Sequence, residues 1–470
     1  MEKNVRIYTV FSMEGTQSSS QTYSLYHPEE KVLTNREIMK MIKEKCDGIE
    51  FTGKTEPEDM GYTIGIIKGL KNTLDGLLYF GPVPDELLQL DIPTIAIHPL
   101  WGRWQYPFHS YKNYRVLTDC LPVIPDVSEE IFNARIDKIV KRIKIIQSIS
   151  KMKGFKILII TDKPILGEYE PTPLQFKNEG REKYEEKYIK NLSEFGAGII
   201  VRPQKEMVER MKKADSKKAK KIAEKWMEEA AGIKGTNKEE IEKSAKLYLA
   251  MKEMLELYNA DAITTEGYGV FMSYPEGPIP SQGMPSSQFC TDGIVATSET
   301  LVDSLITQQI GLWITGSTGF NGDYVIDEET NIIYIGHCEC PFNPYGDERK
   351  APYIIRNLPQ YPVDQQEKGG ASAQVLLPIG EKVTIAKFSI HDKKLSIFTG
   401  ETVDGEKLFP GFNDILCRTK LAIKTDAKKL LERVDWKTFG VHRVAFFGNW
   451  KEEFKDAAKL MGFEVIEKDI

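Results

Sequence analysis

Short, uninterrupted apolar runs separated by helix-like segments constrain this chain more than any other feature. Residues 6–12, 76–80 and 94–97 read as buried strands, and Thr34 and Glu37 are spaced as a capping box that opens a helix. Strands that are apolar on both faces and alternate with helices form a parallel sheet covered by those helices. Asp126 and Glu129 open an amphipathic helix that runs to about residue 153. A second α/β unit begins with Phe155-Lys156-Ile157-Leu158-Ile159-Ile160 and has a further strand over 197–201. Charged helices over 205–231 and 238–259 follow, broken at Gly232-Ile233-Lys234-Gly235, and then a strand over 262–265.

The rest of the chain changes character. A Pro/Gly/Ser-rich stretch over 274–287 marks a boundary, which gives expected domains of 1–150, 151–285 and 286–470. Asp292 is expected to begin a helix with Ile294, Val295, Leu301, Val302, Leu305 and Ile306 on its apolar side. Runs at 323–326 and 332–336, and at 382–390 and 395–399, read as two hairpins, so the last domain is β-rich.

A chain of 470 residues exceeds one ordinary core, and a hydrophobic content of 41% excludes disorder. Its 63 basic and 69 acidic residues are well mixed, which argues against a nucleic-acid footprint. No apolar stretch approaches the roughly 20 residues of a membrane span. Met1-Glu2-Lys3-Asn4 leads into a strand rather than a signal peptide, and six dispersed cysteines fit free thiols. A cytoplasmic protein that binds neither membrane nor nucleic acid is expected.

Four segments carry candidate metal ligands. Glu266 stands at the carboxyl end of a strand, where ligands of open α/β sheets bind, and glycines follow it; an exposed loop glutamate is the plainer alternative. Asp292 serves either as a ligand or as an ordinary N-cap. His337 ends an apolar strand, and Glu339 shares its face as a group that could orient the imidazole. A satisfied core histidine is the alternative there. A zinc site built on Cys338 and Cys340 lacks a second cysteine pair. His442 precedes the apolar strand Val444-Ala445-Phe446-Phe447. Carboxylates and imidazoles with open positions suit a divalent ion engaged in sugar or acid chemistry. The glycine-rich loop at 316–322 has the wrong spacing for a dinucleotide fingerprint and reads as a turn. In the N-terminal region, Gly15-Thr16-Gln17 follows a strand, and the aromatic run 98–106, with Trp101 in it, suits the faces of a sugar or a subunit contact.

The order of these segments resembles the L-fucose/L-arabinose isomerase family. The resemblance rests on Glu266 after two threonines, Asp292, His337 before Cys340-Pro341, His442 near the C-terminus, and Gly15-Thr16-Gln17. It implies two Rossmann-like parallel-sheet domains followed by a β-rich domain, with Glu266, Asp292, His337 and His442 binding Mn2+ or another divalent cation such as Mg2+ or Co2+. It further implies Glu266 and Asp292 as catalytic acid and base in an aldose–ketose isomerisation through a cis-enediol. Gln17 and Trp101 become substrate-binding residues. A homo-oligomer, trimer or hexamer, with active sites shared between subunits is implied as well. A non-catalytic sugar-binding protein and a metal-dependent sugar aldolase are the alternatives.

Overall fold

The computed structural model describes residues 4–12, 32–56, 59–99, 111–121, 129–165, 180–266, 279–358 and 370–469. Met1–Lys151 with Lys455–Glu464 form one compact unit, and Met152–Phe454 with Val465–Ile470 form another.

The first unit is built on five parallel strands: β1 (Val5–Phe11), β2 (Ile49–Thr52), β3 (Gly76–Phe80), β4 (Thr94–Pro99) and β5 (Val116–Leu121), in the order β2-β1-β3-β4-β5. Its first helix, Asn35–Lys43, starts with the capping box read from the sequence: Glu37 N donates to Thr34 Oγ1, and Thr34 N donates to the Glu37 carboxylate. Helix Glu129–Ser150 buries Phe132, Ile136, Ile139, Val140, Ile143 and Ile146, the spacing of one helical face. Arg142 on that helix donates to Asp119 of β5 at 2.6 Å and to Asp456 at 2.9 Å.

The second unit combines a parallel sheet with an antiparallel barrel. Strands β6 (Lys156–Ile160), β7 (Gly198–Arg202), β9 (Ala262–Thr265) and β10 (Ala296–Thr297) pair in the order β10-β9-β6-β7. The barrel strands are β11 (Phe320–Asp327), β12 (Ile332–His337), β15 (Lys382–Ser389), β16 (Lys394–Val403), β17 (Thr419–Lys424) and β18 (His442–Phe447). They run β15-β18-β11-β12-β17-β16, and β16 pairs back onto β15 to close the ring. Alternate side chains fill it, among them Phe320, Tyr324, Ile335, Ile385, Phe398, Leu421 and Ala445, all in one buried cluster. Each large apolar side chain so buried contributes roughly 1.5–3 kcal/mol. The protein is thus mixed α/β, with two parallel sheets and an antiparallel C-terminal barrel.

Three local readings are corrected. Asp292 does not begin a helix; it closes helix Gly283–Thr291, whose Gln288 donates to it at 2.9 Å. Gly293, at φ +79°, turns the chain into β10, and the next helix starts only at Val302. The apolar residues Ile294 and Val295 therefore lead into a strand, and β10 shares a sheet with β9 although it follows the stretch read as a boundary. Pro285 is accommodated in the first turn of helix Gly283–Thr291, where the missing N–H is no loss. The break at residues 232–235 is itself a short strand, β8 (Gly232–Lys234), parallel to β13 (Tyr353–Arg356), which pairs with β14 (Ser372–Val375). The helix read over 205–231 is two, Gln204–Lys213 and Ser216–Glu229, because Asp215 caps a new start.

Helix Val302–Thr315 packs on the barrel so closely that a Cβ on Gly311 would lie 2.1 Å from the Phe446 ring. Gly311→Ala is therefore expected to destabilise by about 1–3 kcal/mol or more. Helix propensity alone would give a gain of about 1 kcal/mol. Denaturant unfolding of the two proteins checks the sign; a stabilised variant contradicts this packing.

Candidate metal centre

Two neighbouring parallel strands each run out into a glutamate. β9 and β10 pair with Thr264 opposite Thr297, and Glu266 and Glu299 follow at their carboxyl ends. Thr300 N donates to Thr265 O at 2.9 Å, which joins the two exits. Glu299 and Thr300 adopt φ values of +61° and +56°. Two successive left-handed non-glycine residues, one of them β-branched, cost about 1–3 kcal/mol each and collect at functional sites.

Two barrel strands deliver the imidazoles. His337 ends β12 and His442 opens β18, and their ring centroids are 5.4 Å apart. Glu299 reaches both: its carboxylate oxygens lie 3.9 Å from His337 Nε2 and 3.8 Å from His442 Nε2. One ligand atom from each of Glu299, His337 and His442 falls within 4.8 Å of the others. Two ligands about 2.1 Å from one ion are at most ~4.2 Å apart, so small side-chain rotations bring this set onto a cation. Both histidine side chains are 4% exposed while that of Glu299 is 44% exposed, which leaves one side of the group open to solvent. Neither ring nitrogen of His337 makes a hydrogen bond among the described residues. A buried imidazole in that state fits a metal ligand better than a satisfied core residue.

The surroundings hold this set in place. The buried Glu339 carboxylate accepts from Ser298 N at 3.0 Å and lies 3.7 Å from His337 Nδ1. It therefore holds the turn that carries Glu299 close to His337. Burial pushes the Glu339 carboxyl up to about 7, against the pull of His337. Asp323 sits opposite His442 in the ladder, with Oδ1 3.4 Å from its Nε2. Burial drives His442 well below the ordinary histidine range, and His337, Lys387 and Arg443 add to this. Burial acts the same way on His337, but Glu339 and Glu299 outweigh it and raise that imidazole. Behind the site, fully buried Lys387 donates to Ser304 at 2.6 Å, and Tyr188 donates to Asp303 at 2.6 Å. These bonds fix the helix that starts just after Glu299.

Glu266 and Asp292 lie outside the three-residue group. Glu266, at the end of the neighbouring strand, is 2.6 Å from Lys163 Nζ and accepts from Thr161 Oγ1, Asp162 N and Gln204 Nε2. Burial raises its carboxyl, but Lys163 and these donors outweigh it and hold it below the usual range. Asp292 accepts from Gln288 and Tyr248 at its helix end. Gln17 and Trp101 lie outside the described residues. Glu299 was missed because a helix drawn from Asp292 ran through it. The signal was present: Thr297-Ser298-Glu299 ends a short apolar run as Thr264-Thr265-Glu266 does.

No protein-family model matches the chain, and no curated protein matches it in sequence. Among solved structures it matches a periplasmic solute-binding protein of an ABC transporter from Actinobacillus succinogenes, with bound D-allose. The match has 9% identity over 66% of this chain and 91% of that one, at a TM-score of 0.15. A likeness of that size bears on neither fold nor function.

Proposed function

We propose that the protein is a metal-dependent aldose–ketose isomerase acting on a pentose or (deoxy)hexose through a cis-enediol. The reading rests above all on Glu299, His337 and His442, brought from a strained turn and two barrel strands to within one cation's reach. The donor set of one carboxylate and two imidazoles suits a divalent transition ion with positions left open, and we take that ion to be Mn2+ or another divalent cation such as Mg2+ or Co2+, as the isomerase resemblance implies. When bound, such an ion polarises the sugar carbonyl and offsets the negative charge that develops on its oxygen. Glu266 is the base in this reading. Its carboxylate takes the proton from C2 of the aldose, and the acid so formed returns it to C1. Gln204, Thr161 and Lys163 hold the carboxylate in place and ionised at neutral pH. Glu299 assumes the ligand role expected of Asp292. The two parallel sheets count as Rossmann-like here, and the working enzyme as a cytoplasmic homo-oligomer, trimer or hexamer.

The test is a panel of pentoses, hexoses and 6-deoxyhexoses incubated with the protein and Mn2+, with ketose read by NMR. One sugar class converts, and EDTA stops it. No conversion of any sugar, or conversion indifferent to chelation, contradicts the reading. Binding without conversion would favour a sugar-binding protein, and cleaved products an aldolase.

A further inference from the structure

Two guanidinium groups are buried close together in the second unit, and among the described residues only one of them meets a carboxylate. Arg356 ends β13 and faces Lys234 of β8 across their parallel ladder. Arg418 stands just before β17, whose first residue, Thr419, faces His337. Each arginine is 4% exposed. Arg356 donates to Gln374 Oε1 and, at 2.6 Å, to Asp414 Oδ1, and its buried Nε has no hydrogen-bond partner. Arg418 donates to Asn357 O at 2.9 Å, Asn357 Oδ1 at 3.0 Å and the backbone O of Asp414 at 3.2 Å, all neutral oxygens. Lys234 Nζ lies 3.3 Å from Asp414 Oδ1, and Lys420 Nζ donates to Phe412 O and Cys417 O. Burial, followed by the charge of Arg356, pushes Arg418 down. Buried charges are ordinarily matched by an opposite charge. Here four cations gather at the single carboxylate of Asp414, whose side chain is 55% exposed on a surface turn, Phe412–Asp414.

We infer that Arg356, Arg418 and Lys234 form an anion-binding site for a phosphoryl group, with the Asp414 carboxylate as its internal competitor. A guanidinium presents a planar fork of donors that matches phosphate oxygens, and an ammonium adds a point charge. Gln374 and Asn357 hold the two forks in place, so little freedom is lost when an anion binds. A phosphoryl group brings about 1.5–2 negative charges at pH 7 against the one of Asp414. It therefore gains more from the same cations and displaces the half-exposed carboxylate toward water. Free phosphate and a phosphorylated sugar carry the same chemistry. The anion site stands without the isomerase reading; a sugar as the carrier of the phosphoryl group rests on that reading.

The experiment titrates the full-length protein with inorganic phosphate and, in a second arm, with ribose 5-phosphate, each by calorimetry with and without Mn2+. Saturable binding that is the same in both conditions is expected. Asp414→Asn, which removes the competitor, is expected to tighten it by about 10-fold or more, the worth of one hydrogen bond to a charged group. Lys234→Glu, which sets a new carboxylate beside Arg356, is expected to weaken it. Thermal melts give a second readout: Asp414→Asn lowers Tm, and phosphate restores it where the same concentration of chloride does not. Binding in both arms, or in one alone, supports the site and identifies the carrier. The inference is overturned if neither compound binds, if binding requires Mn2+, or if Asp414→Asn leaves the affinity unaltered or lower. None of these readouts depends on isomerase turnover or on a bound cation, so the two readings fail separately.

Discussion

Glu266→Gln is expected to lower aldose–ketose turnover by about 10^2- to 10^4-fold, the contribution of a positioned general base, while Mn2+ binding persists. The amide matches the carboxylate in shape but takes up no proton at neutral pH. Folding is expected to survive, because Glu266 N still donates to Ile160 O at 2.7 Å and the residue sits at a strand end rather than in a core. Retention of the cation follows from the ligand set, which lies on Glu299, His337 and His442. The opposite pattern, with normal turnover and lost cation, would make Glu266 a ligand instead of the base. Steady-state kinetics and a Mn2+ titration on one preparation separate the two.

Loss of an imidazole has the second large effect. His337→Ala and His442→Ala are each expected to weaken Mn2+ binding by at least ~100-fold, since even outer-sphere partners contribute about 10–100-fold. The wild-type protein is also expected to lose affinity as pH falls. A ligating histidine must be neutral, and Glu339 and Glu299 raise His337 above the ordinary histidine value. Protons therefore compete with the cation first at His337, below its raised pKa. His442, driven well down by burial, remains a free base through the same range. Titrations followed by Mn2+ electron paramagnetic resonance measure both effects. Affinity that rises on acidification, or is unaltered in both variants, contradicts the assignment.

Strands β1, β3, β4, β6, β7 and β9 and both barrel hairpins were legible because buried strands are short and apolar and barrel strands alternate, whereas β2, β5, β13, β14 and β17 were not read. His337 and His442 were legible as polar residues at the ends of such strands, and Glu266 as an acid following one. Glu299 was not, because its strand is only Ala296–Thr297 and leaves almost no periodic signal. The same brevity let a run of apolar residues from Ile294 onward pass for a single helix. Only the fold reveals that β10 and the left-handed Glu299 and Thr300 break that run and that Thr300 N closes onto Thr265 O.

Anomalous scattering from crystals grown with Mn2+ decides the central point. One strong peak is expected about 2.0–2.2 Å from a Glu299 oxygen and one nitrogen each of His337 and His442. A peak at Glu266 and Asp292 with the histidines unligated, or no peak in this unit, would mean that these three side chains do not form a metal centre.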